Sequence, residues 1–212
     1  MNLGHVHSLS GAAPDRRRVS CFSMNRSEFL VAKISYGFDC LDTDGDGALT
    51  EHDHVLMGRR AANSAGHQPG SPAETSMVDA YLRIWRDLHL PHIPDGGDAI
   101  TRDQFIESTS SLVDDPAAAR ATIGALAEAF LAIADIDEDG QLSPAEFHSF
   151  QTGHFRDLGE NDTSAAFSHL DTDGDGYLSA AEFIRTAVEF WSSDDPAAPG
   201  NWWVGRDPAT FR

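Results

Sequence analysis

Apolar residues recur every three or four positions along much of the chain, which is the spacing of helices with one buried face. The two clearest faces consist of Phe29, Leu30, Ile34, Phe38 and Leu41, and of Met77, Tyr81, Ile84, Trp85 and Leu88. Similar patterns continue to residue 191. The chain is therefore predicted to be all-α.

Polar and helix-breaking residues divide this pattern into helix–loop–helix units. Helices are expected over residues 27–41, 51–64, 74–89, 101–112, 116–134, 144–151 and 162–170. A last helix is expected from the end of an acidic loop, at residue 182, to residue 191. Residues 1–23 are rich in Gly, Ser, His and Arg without periodicity, so they are expected to be a disordered N-terminal extension. Residues 192–212 are expected to form an irregular tail that contains two Trp residues.

Three of the predicted loops carry acidic residues at every second position. They are DTDGDGALTEHD at 42–53, DIDEDGQLSPAE at 135–146 and DTDGDGYLSAAE at 171–182. A helix–loop–helix calcium loop has twelve positions and takes oxygen ligands from positions 1, 3, 5, 7, 9 and 12, with Gly at position 6 for a sharp turn. The repetition of this pattern along one chain predicts a repeat of metal-binding units.

Each of the three loops supplies an oxygen donor at all six ligand positions. The predicted ligands are Asp42, Asp44, Asp46, the carbonyl of Ala48, Thr50 and Asp53 in the first loop; Asp135, Asp137, Asp139, the carbonyl of Gln141, Ser143 and Glu146 in the third; and Asp171, Asp173, Asp175, the carbonyl of Tyr177, Ser179 and Glu182 in the fourth. Gly occupies position 6 in all three, and Leu occupies position 8, the apolar residue of a short strand that joins neighbouring loops.

A second, degenerate loop appears at residues 93–104 when its AIT is aligned with the ALT of the first loop. Position 1 is Ile93 and position 12 is Gln104, so the two most important carboxylates are missing. Ile100 keeps the apolar strand position. This unit is expected to pack against the first loop without binding a metal.

The ligand set favours Ca²⁺, because hard cations prefer oxygen donors and no His or Cys occupies a ligand position. A bidentate Glu at position 12 suits seven-coordinate Ca²⁺ in the third and fourth loops. Asp53 is one methylene shorter than Glu, which predicts weaker Ca²⁺ binding in the first loop, or tolerance of Mg²⁺ there.

The net charge of −19, from 34 acidic and 15 basic residues, argues against nucleic acid and anionic membranes as partners. The sequence contains no run of about 18 apolar residues, so no membrane span is predicted. The basic stretch RRRVSCFS is not followed by the apolar segment of an export signal. A cytoplasmic location is therefore expected. No nucleophile–His–acid pattern or phosphate-binding loop stands out, so no enzymatic activity is expected.

These loops, with a degenerate second unit and a long separation between the first and third, resemble the four-EF-hand sarcoplasmic calcium-binding proteins, above all their bacterial members, the calerythrins. The resemblance covers about residues 24–191. It implies four EF-hand units in two pairs, over 24–112 and 113–191, that pack face to face into one compact domain. It also implies Ca²⁺ in units one, three and four and a role as an intracellular buffer or transport protein.

The alternative is a Ca²⁺ sensor that binds a partner protein or an apolar ligand. Sensors expose a Met-rich groove, whereas this chain has four Met against 12 Phe, four Trp and three Tyr, which favours a filled core and buffering. The coelenterazine-dependent photoproteins and luciferin-binding proteins enclose an apolar cavity in a similar shape. Trp85, Trp191, Trp202 and Trp203 are the candidates to line one, although a core position for the first two and a surface position for the tail pair are the simpler interpretation. A monomer is expected, and the protein partner is unknown.

Overall fold

Helices make up most of the protein. The computed structural model describes residues 18–155 and 157–211, with the side chains of the first helix described from Glu28 onward. The helices are α1 (Arg18–Leu41), α2 (Glu51–Ser64), α3 (Pro72–Ile84), α4 (Arg102–Ser110), α5 (Pro116–Ala119), α6 (Ala125–Ala134), α7 (Pro144–His154), α8 (Glu160–Leu170) and α9 (Ala180–Ser192). A π-helical segment, Trp85–His89, continues α3, and another, Arg120–Gly124, joins α5 to α6. The all-α fold class is confirmed.

Helix α1 begins earlier than the apolar pattern indicates. Its predicted start was Ser27, but the helix begins at Arg18. No Gly or Pro lies between residues 18 and 27, so nothing in the sequence interrupts a helix there. Residues 18–23 are thus helical, contrary to the predicted disordered extension. The rest of that extension, residues 1–17, lies outside the described residues.

Four short strands join the loops in pairs. The strands are β1 (Ala48–Thr50), β2 (Ala99–Thr101), β3 (Gln141–Leu142) and β4 (Leu178–Ser179). β1 pairs antiparallel with β2, and β3 pairs antiparallel with β4. Leu49 lies opposite Ile100, and Leu142 lies opposite Leu178, with all four side chains fully buried. The position-8 residues therefore join the first hand to the second and the third to the fourth.

The two pairs pack against each other through aromatic side chains. Helix α3 contacts α6, α2 contacts α7, and both α1 and α4 contact α9. Tyr81 of α3 lies edge-on to Phe130 of α6, with ring centroids 5.9 Å apart, and Phe105 of α4 lies edge-on to Trp191 of α9 at 6.3 Å. Aromatic rings bury large apolar areas, and this shared core unites the pairs in one domain.

One helix has the length and apolar composition of a membrane span, which the sequence pattern did not predict. It is the continuous helix Pro116–Ala134, and 44% of its most apolar window is buried inside the fold. Ala119, Ile123, Leu126 and Phe130 are buried at helical spacing, which is the pattern of a core helix with one exposed face. Length and composition are therefore explained by packing in the core.

The C-terminal tail is folded against the helices. It contains two 3₁₀ turns, Pro199–Trp202 and Pro208–Thr210. The Trp203 side chain is 2% exposed, whereas Trp202 is half-buried. Trp203 is consequently a core residue, in contrast to the surface position expected for both tail tryptophans.

Candidate metal centres

Each acidic loop folds around the carboxylate at its first position. Asp42 accepts hydrogen bonds from the backbone N–H groups of Gly45 at 2.8 Å and Gly47 at 3.0 Å. Asp171 accepts from the same two positions of the fourth loop, 4 and 6, and Asp135 accepts from positions 5 and 6 of the third. The position-1 carboxylate thereby closes the turn and faces the centre of the loop.

The turn depends on left-handed backbone at position 6. Gly47, Gly140 and Gly176 have φ values of 85°, 86° and 91°, a region that side-chain-bearing residues adopt only at a cost. Position 4 is also left-handed, and there the third loop has Glu138, with φ of 59°. A non-Gly residue in this region costs about 1–2 kcal/mol, so the third loop carries strain that the Gly residues of the other two avoid.

Three groups of carboxylates converge in these loops. Within each group, one oxygen from every residue lies within 4.8 Å of the others; the groups are Asp42, Asp44 and Asp46; Asp135, Asp137 and Glu146; and Asp171, Asp173 and Glu182. Negative charges this close repel one another strongly unless a cation lies between them. Carboxylate oxygens are also the donors that Ca²⁺ prefers, so the residues present fit that ion.

The residue at position 12 separates the first loop from the other two. Glu146 Oε1 accepts a hydrogen bond from the backbone N–H of Ile136 at 2.8 Å, while its Oε2 accepts from the Ser143 N–H at 2.9 Å and the Ser143 hydroxyl at 2.7 Å. Glu182 bridges the same two positions of the fourth loop. Each Glu therefore ties the start of its loop to the end.

Asp53 ties only the end of the first loop. Its Oδ2 accepts from the Thr50 N–H at 2.8 Å and the Thr50 hydroxyl at 2.7 Å, and among the described residues no hydrogen bond reaches it from the start of the loop. Its carboxylate is also outside the group formed by positions 1, 3 and 5. A side chain one methylene shorter is held by its own helix cap and does not span the loop.

Hydrogen bonding keeps the position-12 glutamates ionised. Burial raises the pKa of Glu182, but hydrogen bonds from Ser179 and Thr172 outweigh this effect and lower the pKa to about 2. The pKa of Glu146 is likewise lowered, because hydrogen bonds led by those from Ser143 outweigh desolvation. Both side chains are therefore ready-made anionic ligands across the ordinary pH range.

Repulsion within the groups is visible at position 3. Desolvation and the neighbouring carboxylates Asp139 and Glu146 raise the pKa of Asp137. At Asp173 a hydrogen bond from the Asp175 backbone lowers the pKa, but desolvation and neighbouring carboxylates outweigh it, so the pKa is raised overall. These directions are those expected of clustered like charges.

The remaining predicted ligands lie along the same loops. Backbone N–H groups of Ala48, Gln141 and Tyr177 donate at 2.9 Å to the position-5 carboxylates of Asp46, Asp139 and Asp175. The position-9 hydroxyls of Thr50, Ser143 and Ser179 donate to the position-12 carboxylates at 2.7 Å. The structure thus places all eighteen predicted residues in three loops, while position 5 stands outside the tight groups of the third and fourth.

The second loop keeps the structural contacts and lacks the carboxylates of positions 1 and 12. Gln104 Oε1 accepts from the Thr101 N–H at 2.9 Å and the Thr101 hydroxyl at 3.0 Å. This reproduces the helix cap that Asp53 and Thr50 form in the first loop. Ile93, at position 1, is packed against the hydrophobic core. The helix start and the strand pairing therefore survive without the acidic ligands.

Sequence reasoning missed the contribution of position 2. The backbone N–H of Thr172 and its hydroxyl both donate to Glu182 Oε1, at 2.9 and 2.8 Å, and Ile136 donates its N–H to Glu146. Every residue has a backbone N–H, so no residue type reveals this contact. The Thr at position 2 of DTDGDG is a sign of the additional hydroxyl hydrogen bond. It is not a sufficient one, because the first loop has Thr43 at this position but no Glu at position 12 to accept the hydrogen bond.

Comparisons with known proteins place these loops in a family. Residues 151–189 match a family model described as an EF-hand domain pair, and residues 37–53 and 127–151 match one described as an EF hand. A sarcoplasmic calcium-binding protein of Perinereis vancaurica tetradentata is 32% identical over 142 residues, which cover 67% of this chain and 76% of that protein. The chain belongs to this EF-hand family.

Two further proteins are similar to this chain. Calerythrin of Saccharopolyspora erythraea is 25% identical over 160 residues, which cover 74% of this chain and 89% of calerythrin. The calcium-loaded apo form of the coelenterazine-binding protein from Renilla muelleri superposes with a TM-score of 0.63 at 23% identity, over 86% of this chain and 98% of that one. The second likeness shows the fold alone. Like its relatives of the sarcoplasmic and calerythrin type, this EF-hand protein binds Ca²⁺.

Proposed function

We propose that the first, third and fourth loops of this protein each bind one Ca²⁺ and that the protein acts as a Ca²⁺ buffer. Positions 1, 3, 5, 9 and 12 would supply side-chain oxygens, and position 7 a carbonyl. The second hand has Ile93 and Gln104 where carboxylates are needed. Three Ca²⁺ would neutralise six of the 19 excess negative charges of the chain.

The observation that carries this proposal is the convergence of three carboxylates within 4.8 Å in each of the three loops. Such groups cost free energy when no cation is bound, and that cost is recovered when Ca²⁺ enters. Binding and folding are therefore coupled, so the metal-free protein should be looser than the loaded one.

Unequal affinity is part of the proposal. Glu146 and Glu182 each offer two oxygens that the helix cap and the position-2 amide hold in place. Among the described residues, the Asp53 carboxylate is held by hydrogen bonds from Thr50. The first loop should therefore bind Ca²⁺ more weakly and accept Mg²⁺, which needs fewer protein oxygens.

The buffering role rests on the burial of Met and aromatic side chains among the described residues. Met57 and Met77 are at most 1% exposed, so they do not form the exposed Met-rich surface of a sensor. Phe147, Phe183 and Phe190 are fully buried. A core already filled by aromatic rings has little surface to offer a target upon Ca²⁺ loading.

Calorimetric titration of the metal-free protein with Ca²⁺, with and without Mg²⁺, tests the proposal. Three sites are expected, two of which are tight and one weaker and displaced by Mg²⁺. Asp135→Asn and Asp171→Asn variants should each remove one tight site, and Asp42→Asn should remove the weak one. A titration with two sites, or a fourth site that depends on residues 93–104, would contradict the assignment of loops.

A second candidate function is binding of an apolar ligand, because a cavity of about 50 Å³ lies at the junction of the two pairs. His54, His154 and Thr109 line it, and the described contacts leave His54 Nε2, His154 Nδ1 and Thr109 Oγ1 without a hydrogen-bond partner. Burial lowers the pKa of His154 to about 3, so its ring is neutral.

The size of the cavity favours buffering over this candidate. Ligand-binding pockets have volumes of about 300–1,000 Å³, so a cavity of about 50 Å³ would have to widen to hold a ligand of that kind. Titration with coelenterazine, the ligand named for the Renilla relative, followed by Trp fluorescence, discriminates the two. Micromolar saturable quenching would favour the ligand-binding role, and no change would favour buffering.

A further inference from the structure

Part of the C-terminal tail, residues 199–205, fills an apolar surface of the C-terminal EF-hand pair; this segment is named the tail latch. The Trp203 indole lies edge-on to Phe183 of α9, with ring centroids 4.5 Å apart, and approaches Phe150 of α7 at 6.3 Å. Gln151 of α7 donates its side-chain N–H to the Trp203 carbonyl at 2.7 Å. The tail latch therefore bridges the helices that leave the third and fourth loops.

A buried lysine fastens the tail latch to α1. Lys33 is the single lysine of the chain, and its side chain is fully buried. Its Nζ donates to Asn201 Oδ1 at 2.7 Å and to the Ser193 carbonyl at 2.8 Å. Burial lowers the pKa of Lys33 to about 8, although nearby carboxylates, led by Asp194, act to raise it. A buried amine needs these acceptors, so the tail and Lys33 depend on each other.

Close approach of the backbone completes the docking. The Gly200 N–H donates to Glu189 Oε2 at 3.0 Å. A Cβ at Gly200 would lie 2.4 Å from the Thr186 carbonyl oxygen and 2.5 Å from Glu189 Cβ. A helix carbonyl cannot move aside, so a single methyl group at this position would lift the tail latch from α9.

The tail latch lies on α7 and α9, the two helices that carry the position-12 ligands. Glu146 is in the first turn of α7, one turn before Phe150, and Glu182 is in the first turn of α9, next to Phe183. A bound ion would act together with the hydrogen bonds from position 2 to hold each Glu against the start of its loop. Without the ion, the gathered carboxylates repel and only the hydrogen bonds oppose that repulsion, so the two helices are held less firmly relative to each other.

We propose that the tail latch is an internal target segment that occupies the apolar surface of the C-terminal pair in the Ca²⁺-loaded protein and leaves it when the third and fourth loops lose Ca²⁺. This rests on the proposed function, since it requires Ca²⁺ in those two loops. It also gives the buffering role a cause: the surface that a sensor would offer to a partner is covered by residues of the same chain.

Thermodynamic linkage makes the coupling reciprocal. If Ca²⁺ favours the docked tail latch, the docked tail latch must raise Ca²⁺ affinity by the same factor. The effect should be largest in the third and fourth loops, whose exit helices contact Trp203. The first loop leads into α2, which contains neither Phe150 nor Phe183, and its link to the tail latch is through Lys33 of α1, so its affinity should change less.

Acylation of Lys33 reports the position of the tail latch directly, because the chain has no other lysine. The full-length protein is treated with an amine-reactive acetylating reagent in Ca²⁺ and after chelation, and peptide mass spectrometry measures the rate at residue 33. At least tenfold faster acylation is expected without Ca²⁺. Equal rates in the two states, in a protein that calorimetry shows to bind Ca²⁺, would overturn the latch and leave the proposed function standing.

Two variants test the coupling, with a third as the matched control. Gly200→Ala and Trp203→Ala should accelerate Lys33 acylation in Ca²⁺, increase binding of a hydrophobic dye to the loaded protein, and weaken the two tight sites at least threefold. Trp202→Ala removes the neighbouring, half-buried indole that stacks on His169 and should change these readouts less. Circular dichroism verifies the helical content of each variant.

The outcomes separate the two proposals. Unchanged Ca²⁺ affinity and dye binding in folded Gly200→Ala would overturn the latch. Absence of Ca²⁺ binding to the third and fourth loops of the wild type would overturn the proposed function on which it rests. If a variant does not fold, the wild-type acylation measurement still decides.

Discussion

The first and fourth loops begin with the same six residues, DTDGDG, and close in different ways. In both, the position-1 carboxylate accepts two backbone N–H groups at 2.8 and 3.0 Å. At the other end, Glu182 accepts a hydrogen bond from Thr172 at the start of the loop, whereas the hydrogen bonds of the Asp53 carboxylate among the described residues come from Thr50. Identical first halves therefore form identical turns, and one methylene at position 12 decides whether the position-12 carboxylate ties the start of the loop to its end.

The two loops differ in how far the position-12 carboxylate is already oriented, more than in the number of oxygens that it offers. The carboxylate of Glu182 is already ionised and oriented, with its pKa lowered to about 2 by the hydrogen bonds that it accepts, against the opposing effect of burial. Asp53 would have to leave its cap or draw the loop inward to reach an ion. Reorganisation of this kind reduces net binding free energy, which is the reason to expect a weaker first site.

The largest effect should come from removing Ca²⁺ altogether. A ligand at a thousandfold its Kd stabilises the folded state by about 4 kcal/mol per site, so chelation should lower the melting temperature by more than 10 °C. Differential scanning calorimetry with and without a chelator measures this. An unchanged melting temperature would show that the converging carboxylates are only solvated surface charges, and the comparison of the two loops would lose its meaning.

The next effect should come from making the fourth loop resemble the first. Glu182→Asp removes the hydrogen bonds to Thr172, and a hydrogen bond to a charged group is worth about 1.5–3 kcal/mol. The Kd of the fourth site should therefore rise roughly ten- to a hundredfold. Calorimetry measures it, with Glu160→Asp, an exposed position in the first turn of helix α8, which leads into the fourth loop, as the control. An unaltered Kd would show that the hydrogen bonds between Glu182 and Thr172 do not determine the Ca²⁺ affinity of the fourth site.

The reverse exchange should have a smaller effect. Asp53→Glu restores the length needed to reach position 2, where Thr43 is already present. The first site should bind Ca²⁺ about tenfold more tightly, equivalent to about 1.4 kcal/mol, and lose its sensitivity to Mg²⁺. Asp103→Glu, in the degenerate loop, serves as the control. No gain in affinity would mean that the first loop is weak for a reason other than position 12.

The smallest effect should come from position 4 of the third loop. Glu138→Gly removes a strained left-handed residue worth about 1–2 kcal/mol, but Gly adds unfolded-state entropy of about 0.5–1 kcal/mol. The free energy of unfolding, from urea denaturation in Ca²⁺, should increase by less than about 1 kcal/mol. Ser149→Gly in helix α7 should destabilise instead. A loss of stability in Glu138→Gly would show that the carboxylate has a role beyond the turn.

Local patterns allowed most of the fold and the loops to be predicted. Apolar spacing located the helices, and the position-8 residues predicted that Leu49 meets Ile100 and Leu142 meets Leu178, because strand pairing follows from loop register. The early start of α1 was missed, since a helix without an N-terminal breaker has no sequence marker. The ligand roles of the eighteen residues stay predictions that the calorimetric titrations test.

Contacts between distant segments could not be read from any local pattern. Lys33 meets Asn201, and Trp203 meets Phe150 and Phe183, only after the chain has folded. A lysine normally suggests a solvated surface, and a Trp in a Pro- and Gly-rich tail suggests an irregular end. Burial depends on which surfaces the other helices leave uncovered.

The sequence by itself determined the twelve-residue loops, because turn geometry and oxygen donors depend on residues a few positions apart. It also determined that the second loop lacks the carboxylates of positions 1 and 12. Only the tertiary structure decided that Glu146 and Glu182 span their loops, that Asp53 does not, and that the tail is seated on their helices. Those outcomes depend on distances between backbone atoms and on apolar surface shared by remote segments, which residue types alone do not specify.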